Sequence, residues 1–339
     1  MHEQSMPPSA HVLQMITASW ITQAIVTAAK LDIADRVKDG PVAVEALAEA
    51  TGVHAPSLYR VLRALTSVGV FAETDPGRFG LTPLADCLRS DAPGSLRAYA
   101  LMTGDAWCQH SVIDLLRCVE TGKPAPTRLY GVDNLFQYFE TAPEAAARFN
   151  DAMTSFATQI HSAAAAAYDF SGVRRLVDVG GGHGALLASI LSRHPEMRGV
   201  LLDKPHVVRD AQASLERAGV AARCEVTGGD FFRSVPEGAD AYILSAILHD
   251  WSDDESLVLL RNIRRAIADG GRLLVVEAVI QPGNGPDFGK VFDLAMLVAG
   301  GGRERTEAEY RALLSAAGFR LSRTFPTASP TTVIEAVPA

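Results

Sequence analysis

From residue 173 onward the sequence alternates between short apolar segments and helical segments, and this alternation limits the folds open to the chain. The apolar segments are, in order, RRLVDVG, RGVLLD, AARCEVTGGD, DAYILSAILH and GRLLVVEAV. Nearly continuous apolar strands separated by helices are typical of a parallel sheet covered on both faces. The last two segments, FRLSRTFPT and TTVIEAVP, are joined by a turn too short for a parallel crossover. We therefore predict an α/β fold with a Rossmann-like sheet, mostly parallel, with an antiparallel last strand.

The first third of the chain has a different, mainly helical pattern. Residues 42–84 predict a helix, a turn at Gly52, a helix from Pro56 and two short strands around a Pro-Gly turn, which together form a winged helix-turn-helix. Residues 11–30 predict a helix whose apolar face is broad for a lone surface helix, so we expect it to pack in its own domain or on a partner chain. We predict an N-terminal domain over residues 1–105, a helical linker over 106–168 and a ligand-binding domain over 169–339.

The charge of the chain argues against nucleic acid and anionic membranes as partners. The net charge is −8 over 339 residues, whereas such binders need a basic surface. A winged-helix DNA-binding regulator is an alternative, but residues 42–90 hold four arginines against five acids. The four cysteines form no CxxC pair, the N-terminus has no signal pattern, and we expect no apolar run long enough to span a bilayer. We therefore expect a cytoplasmic protein.

A glycine-rich loop follows the first strand of the predicted sheet, in VDVGGGHG. Glycines there let the backbone turn sharply and approach a ligand closely. Asp203 ends the second strand, where a carboxylate meets ribose hydroxyls in nucleotide-binding folds. Asp230 and Phe231 follow the third strand, and an acid beside an aromatic ring suits an adenine. Both a dinucleotide and S-adenosylmethionine fit, but the G-x-G-x-G spacing differs from the dinucleotide fingerprint, which leaves a dehydrogenase as a remote alternative.

A histidine and a glutamate end two strands of the predicted sheet, and a second glutamate precedes a later predicted helix. His249 ends the fourth strand, and Ser252 and Glu255 then form an S-x-x-E capping box that begins the next helix. Glu277 ends the apolar fifth strand, where a carboxylate is costly to bury without a partner. Glu304 lies in GGRERT, just before a helix predicted to begin near Thr306.

The motifs LVDVGGGHG, LLDKPHV, GGDFF, LHDWSDDE and GGRERTEAEY occur in this order. In order and spacing they resemble the caffeic-acid-type small-molecule O-methyltransferases that use S-adenosylmethionine, and specifically a bacterial natural-product branch. The resemblance covers nearly the whole chain. It implies a class I methyltransferase sheet, a winged-helix dimerisation domain, a homodimer and a linker that contributes to the substrate pocket. It also implies S-adenosylmethionine as cofactor and a small phenolic or polyketide-like aromatic acceptor.

The resemblance also implies roles for individual residues. The implied catalytic group is His249 as general base, with Glu277 and Glu304 holding its ring. The implied cofactor-binding residues are Asp178, Gly180, Gly182, Asp203, Asp230, Phe231 and Ser245. The implied substrate-binding residues are Phe149, Met153 and Met296. No metal is expected, because the sulfonium is itself an activated methyl donor.

General base catalysis suits this chemistry, because a free phenol has a pKa of about 10 and a histidine of near-neutral pKa can remove its proton. Two departures from plant relatives weaken any transfer of substrate identity. Ser245 replaces a lysine and Ala145 replaces a phenylalanine that lines the pocket in some of them. An N-methylating relative, or one that has lost methyl transfer, remains an alternative.

Overall fold

The computed structural model describes residues 6–339. Within this range the chain forms two compact units, one made of residues 6–109 and 142–156 and the other of residues 110–141 and 157–339. The elements up to residue 167 are α1 (Pro8–Lys30), α2 (Ile33–Arg36), β1 (Val42–Ala43), α3 (Val44–Thr51), α4 (Ala55–Thr66), β2 (Phe71–Asp75), β3 (Arg78–Leu81), α5 (Pro83–Asp86), α6 (Arg97–Thr103), α7 (Ala106–Ile113), α8 (Leu115–Thr121), α9 (Ala125–Leu129), α10 (Leu135–Thr141) and α11 (Pro143–Ala167).

The first unit contains the predicted winged helix-turn-helix. Helix α3 ends at Gly52, whose φ of 70° lies in the left-handed region that glycine adopts freely, and α4 follows at once. Strands β2 and β3 form an antiparallel hairpin, and β1 pairs with the outer side of β3. The core of this unit is built from the apolar faces of α1, α3 and α4 together with Phe71 and Phe79 of the hairpin.

Helix α1 corrects one expectation. We expected no apolar run long enough to span a bilayer, but by length and composition alone this 23-residue helix is long and apolar enough, and 22% of its most apolar window is buried. Only its C-terminal half packs on the unit, through residues such as Val26 and Ala29. Its N-terminal half leaves large apolar side chains in solvent, with Trp20 77% exposed.

The second unit is built on a seven-stranded sheet. The elements after residue 167 are β4 (Arg175–Val179), α12 (Ala185–Arg193), β5 (Arg198–Asp203), α13 (Ala211–Arg217), β6 (Cys224–Gly228), β7 (Ala241–Ser245), α14 (Asp253–Ala266), β8 (Arg272–Glu277), β9 (Val279–Ile280), α15 (Phe288–Ala299), β10 (Arg305–Thr306), α16 (Glu307–Ala316), β11 (Phe319–Pro326) and β12 (Thr332–Pro338), with short 3₁₀ helices at Val208–Asp210, Ala221–Arg223 and Leu248–Asp250.

The strand order is β11-β12-β8-β7-β4-β5-β6. Strands β4 to β8 are mutually parallel, and β12 runs antiparallel to both of its neighbours. The prediction of a mostly parallel sheet with an antiparallel last strand is confirmed. Helices α14 and α16 cover one face of the sheet, where Leu260 and Leu314 join a core with Val177 and Val275.

Helices α12 and α13 cover the opposite face. A Cβ at Gly199 of β5 would lie 2.8 Å from Leu187 of α12, so glycine is what allows this helix to approach the sheet closely. Coverage of both faces explains why the strands are apolar at nearly every position.

Candidate active site

The carboxyl ends of the parallel strands bring most of the predicted residues of the second unit to one edge. Strand β4 lies between β5 and β7, whose connections run in opposite directions along the sheet. Such a switch point opens a crevice at the carboxyl edge, where α/β folds bind ligands. Asp203, Ser245 and Glu277 are the last residues of β5, β7 and β8, and the glycine loop directly follows β4.

The glycine loop presents bare backbone to this crevice. Gly180 has a φ of 74°, and a Cβ there would lie 2.5 Å from Cδ1 of Ile247. Gly182 has a φ of 59°, and a Cβ there would meet no atom within 4 Å. A side chain is therefore excluded by packing at Gly180 and by backbone strain at Gly182, where the space beside the backbone is open.

Asp203 is held in place by backbone donors. Its Oδ2 accepts from the Gly182 N–H at 2.8 Å, and its Oδ1 accepts from the Lys204 N–H at 2.6 Å. Two backbone bonds fix the carboxylate beside the glycine loop and leave further lone pairs for hydroxyl donors of a ligand. This arrangement fits the ribose of S-adenosylmethionine.

Two buried polar atoms beside the glycine loop and at the end of β7 have no hydrogen-bond partner among the described residues, in addition to one oxygen each of Glu277 and Glu304. They are Oδ2 of Asp178 and Oγ of Ser245. Burial raises the pKa of Asp178 to about 7, and the negative charge of Asp203 acts in the same direction. Buried polar atoms without partners are uncommon in folded proteins, so both atoms suit a ligand that brings hydrogen-bond donors.

Asp230 and Phe231 follow β6 at the same edge. Asp230 accepts from the Phe232 N–H through Oδ1 at 2.9 Å, which leaves Oδ2 free of that bond. The carbonyl of Phe231 accepts from Nδ2 of the buried Asn262 at 2.8 Å. The Phe231 ring lies 6.2 Å from the Trp251 ring, edge to face. The pair therefore combines a hydrogen-bond acceptor with an aromatic wall, as an adenine site requires.

His249 lies in a short 3₁₀ helix (Leu248–Asp250) that follows β7. The turn begins at Ala246, a residue other than glycine with φ of 54°, which marks local backbone strain. Glu277 stabilises this conformation, because its Oε1 accepts from the N–H groups of Ile247 and Leu248 at 3.0 and 2.9 Å. The predicted S-x-x-E capping box, formed by Ser252 and Glu255, is present at the start of α14.

The His249 ring is buried among carboxylates. Its Nδ1 lies 2.8 Å from Oε1 of Glu304 and 3.4 Å from Oε2 of Glu277. Its Nε2 lies 3.7 Å from Oδ1 of Asp250. The parallel pair of β9 and β10 places Arg305 opposite Val279, and this pairing brings Glu304 beside Glu277. Because a carboxylate accepts hydrogen bonds, the Glu304 contact fixes the tautomer with the proton on Nδ1.

The charge state of His249 corrects the expectation of a near-neutral pKa. Burial disfavours the imidazolium, but the carboxylates of Glu277, Asp250 and Glu304 outweigh burial and raise the pKa of His249 to about 10. Burial raises the pKa of Glu277 to about 7; Glu304 and Asp250 add to that rise, and His249 opposes it. The surrounding carboxylates therefore favour the imidazolium form of His249.

The same three side chains have the composition of a metal site. Ligand atoms of His249, Glu277 and Glu304 all lie within 4.8 Å of one another. A metal ion would have to take the Nδ1 lone pair, which instead carries the proton shared with Glu304. Independence from metal stays a prediction.

The predicted substrate residues lie in different units. Phe149 and Met153 lie on α11 within the first unit, where Phe149 contacts the Trp107 ring edge to face at 6.4 Å between centroids. Met296 lies on α15 of the second unit. All three are half-buried, whereas Ala145 on α11 is buried. Their roles in substrate binding stay predictions.

Sequence reasoning missed three residues that support the site. Asn262 holds the carbonyl of Phe231, Asp293 accepts from the Glu304 N–H at 2.8 Å, and Arg305 is buried under the His249 turn. Their partners lie 11 to 57 positions away in sequence. The one signal available in the sequence was that Arg305 directly precedes Thr306, the first residue of the T-x-x-E capping box of α16.

Comparisons with known proteins show which proteins this chain is similar to. A family model of the O-methyltransferase domain matches residues 113–320, and one of the O-methyltransferase dimerisation domain matches residues 13–91. The chain is 48% identical over 338 residues to a phenazine O-methyltransferase of Lysobacter antibioticus, covering 98% of this chain and 97% of that protein. It is 36% identical over 311 residues to an 8-amino-8-demethylriboflavin N,N-dimethyltransferase of Streptomyces davaonensis, covering 91% and 89%. The crystal structure of CalO1, a methyltransferase in calicheamicin biosynthesis, in its SAH-bound form, superposes with a TM-score of 0.91 at 37% identity, covering 99% and 100% of the two chains.

Proposed function

The chain belongs to the S-adenosylmethionine-dependent O-methyltransferases, and from this premise we propose that it methylates a hydroxyl of a small fused aromatic acceptor, with His249 as the general base. The family resemblance drawn from the five sequence motifs is confirmed by the family models. The proposal goes further, because it assigns the acceptor class and the roles of individual residues.

One observation carries the catalytic assignment. The Nδ1 atom of His249 is bonded to Glu304 at 2.8 Å, which leaves Nε2 as the ring nitrogen able to exchange a proton with an acceptor. Two glutamates on one side of a histidine, with the other nitrogen away from them, is the arrangement that a general base needs to keep a single tautomer.

The residues of this chain then divide the work. Asp203 and Asp230 hold S-adenosylmethionine through its ribose and adenine, and the glycine loop gives its backbone room. When bound, S-adenosylmethionine supplies a methyl group on a positively charged sulfonium sulfur, and the rest of the molecule is the leaving group, a neutral thioether. His249 removes the proton of the acceptor hydroxyl at Nε2 as the oxygen attacks the methyl carbon. Glu304 and Glu277 then stabilise the imidazolium that results.

The raised pKa of His249 fits this role only with the cofactor present. A positive charge near the ring disfavours the imidazolium and lowers the pKa of His249. The positively charged methyl donor therefore favours the basic form of the histidine when both substrates are in place. Binding of the donor thereby moves the pKa of His249 back toward the range in which the ring accepts a proton.

The acceptor class rests on relatives. The chain is 48% identical to a phenazine O-methyltransferase, and on this ground we propose a fused aromatic ring that carries a hydroxyl as the acceptor. We propose hydroxyphenazines as the first acceptors to test. N-methylation is the second candidate, because the chain is 36% identical to an N,N-dimethyltransferase.

The replacement His249→Ala tests the base. We expect turnover to fall by about 10²–10⁴-fold, the usual share of general base catalysis. The S-adenosylmethionine affinity, measured by calorimetry, should stay nearly unchanged. The residual rate should rise with pH, because the ionised acceptor needs no base. His110→Ala, which removes an exposed histidine of α7, is the matched control.

Near-normal turnover of the His249→Ala variant on a hydroxyl acceptor at neutral pH would remove His249 from the mechanism. A neutral aromatic amine attacks through a nitrogen lone pair and loses its proton afterwards. Methylation of amino analogues in preference to hydroxyl acceptors, with little effect of His249→Ala, would instead support the N-methyltransferase candidate.

The proposed assembly is a homodimer in the cytoplasm. The dimerisation domain model covers most of α1, and the N-terminal half of that helix exposes Leu13, Met15, Ile16 and Trp20. A partner copy that covers this face removes a large apolar surface from water. We therefore assign the helix to a dimer interface and not to a membrane span.

A further inference from the structure

Arg305 is the largest fully buried side chain among the described residues, with 1% of its surface exposed. An arginine carries its charge at every accessible pH, so its burial is costly unless the guanidinium is completely bonded. Its position in GGRERT, between Glu304 and the cap residue Thr306, gives it no obvious role of its own.

The guanidinium of Arg305 is bonded to the turn that carries His249. Its Nη1 donates to the carbonyl of Leu248 at 2.9 Å, and its Nη2 donates to the carbonyl of Trp251 at 3.0 Å. These carbonyls stand immediately before His249 and immediately after Asp250. The planar, rigid set of donors therefore holds both ends of the 3₁₀ turn in one plane.

The charge of Arg305 is balanced at the start of the next helix. Its Nη2 and Nε donate to Oδ1 of Asp253 at 2.7 and 3.0 Å, and Asp253 is the first residue of α14. The guanidinium thus joins β10, the His249 turn and the N-terminus of α14. Arg303 also faces Asp253, at 3.9 Å, but its side chain is half exposed and its other ion pair is with Glu309.

The segment that carries Arg305 is packed directly on the turn. The Arg303 N–H donates to the carbonyl of His249 at 2.8 Å. A Cβ at Gly302 would lie 2.0 Å from the same carbonyl oxygen, so only glycine allows this approach. Because Glu304 lies in the same short segment, one rigid piece of backbone supplies both the carboxylate that bonds the ring and the guanidinium that holds the turn.

We propose that Arg305 is a positioning residue for His249: by binding the carbonyls of Leu248 and Trp251 it fixes the direction in which the imidazole Nε2 points. This inference rests on the proposed function, since it gives His249 the task of meeting the acceptor. Arg305 itself touches neither the ring nor the acceptor. Its loss therefore acts on His249 through the turn that carries the ring.

The variants Arg305→Met and Arg305→Lys test the proposal, with Arg303→Met as the matched control. Methionine keeps an unbranched apolar stem without donors, whereas lysine keeps one charged donor that reaches a single carbonyl. Misplacement of a catalytic group by about 1 Å costs about 10²-fold in rate, so we expect turnover of Arg305→Met to fall by about 10- to 100-fold. Arg305→Lys should lie between that variant and the native enzyme, and Arg303→Met should keep native turnover.

Three readouts separate positioning from a loss of fold. S-adenosylmethionine affinity by calorimetry should change by less than about threefold. The rate defect should shrink as pH rises, because an ionised acceptor no longer needs a well-placed base. The ¹⁵N-edited spectrum of ¹⁵N-histidine-labelled protein should show the His249 Nδ1 proton shifted or broadened in Arg305→Met and native in Arg303→Met.

The outcomes decide between explanations. A native His249 signal together with native turnover in Arg305→Met would overturn the proposal, as would a rate defect that is equal at all pH values. If Arg305→Met does not fold, an Arg305→Lys variant with native turnover and native signal would overturn it equally. If the His249 signal moves in Arg305→Met while His249→Ala keeps native turnover, Arg305 still positions the ring and the proposed role of His249 as base fails instead.

Discussion

Replacing Glu304 with glutamine isolates the effect of one negative charge on the His249 base. The pKa of His249 is raised to about 10 by three carboxylates, of which Glu304 forms the shortest contact, at 2.8 Å. A base works in its unprotonated form, so the rate rises with pH as His249 loses its proton. Removing a carboxylate lowers the pKa of His249, and the rising limb of the pH–rate profile must then move to lower pH.

The size of this shift follows from the distances. At an effective dielectric constant of about 20, unit charges about 4 Å apart interact by about 4 kcal/mol, which corresponds to about 3 pH units. The carboxylates of Glu277 and Asp250 stay within 4 Å of the ring, and their own protonation changes absorb part of the loss. We therefore expect the limb to move down by about 1–3 pH units.

The plateau rate at high pH should fall, even though the rising limb of the profile moves to lower pH. Glutamine is able to turn its amide N–H₂ toward Nδ1, which favours the wrong tautomer. We expect a plateau about tenfold lower than in the native enzyme, a smaller loss than the 10²–10⁴-fold expected for removing the base. The ratio of variant to native rate should therefore be highest at low pH and fall as pH rises.

The assay is the initial rate of methyl transfer from labelled S-adenosylmethionine at saturating donor, between pH 6 and pH 10.5. The kcat/KM of the acceptor is followed, with an acceptor whose own ionisation is measured separately. Glu307→Gln is the matched control, because Glu307 is an exposed residue of α16 paired with Arg311. A limb that stays at the native pH in Glu304→Gln, or moves up, would refute the assignment of His249 as the base controlled by this carboxylate.

Three further predictions follow from the described site and surface. Asp203→Ala should weaken S-adenosylmethionine binding by about 10- to 100-fold in calorimetry, because charge-assisted hydrogen bonds are lost. Asp269→Ala is the control. If the two variants bind S-adenosylmethionine with equal affinity, Asp203 does not belong to the site. Chelation with EDTA should leave turnover unchanged, and a loss that magnesium restores would show a metal requirement. The native chain should sediment as a dimer at micromolar concentration, since obligate interfaces commonly bury over about 2,000 Å². Trp20→Asp should yield monomer. A native chain that sediments as a monomer would contradict the proposed interface.

Local pattern predicted the elements of this fold well, because their signals lie within a few residues of each other. The apolar runs identified β4 to β8, and a short turn was enough to predict that the last two strands are antiparallel. The capping box of Ser252 and Glu255 correctly marked the start of α14. Turns and helix caps depend on neighbours in sequence, so they can be predicted without knowledge of the tertiary structure.

Properties that depend on distant partners were beyond the sequence. Besides the neighbouring Asp250, the pKa of His249 is raised by Glu277 at the end of β8 and Glu304 before β10, which lie 28 and 55 positions away in sequence. Helix α1 has an apolar pattern along its whole length, yet one half packs in the unit and the other half is exposed. In the proposed dimer a second chain covers that half, and composition alone does not separate an interface from a core or a membrane span.

Arg305 illustrates the same limit within the site itself. Arg303 and Arg305 look equivalent in a stretch of three consecutive charged residues, and arginines are usually exposed on the surface. Arg305 lies in β10, opposite Val279 of β9, and is bonded under the His249 turn, whereas Arg303 precedes the strand and pairs with Glu309. A catalytic group built from several segments therefore needs buried charges that look like surface charges in the sequence. The comparison of Arg305→Met with Arg303→Met measures how much of the catalytic rate depends on the buried arginine and how much on the half-exposed one.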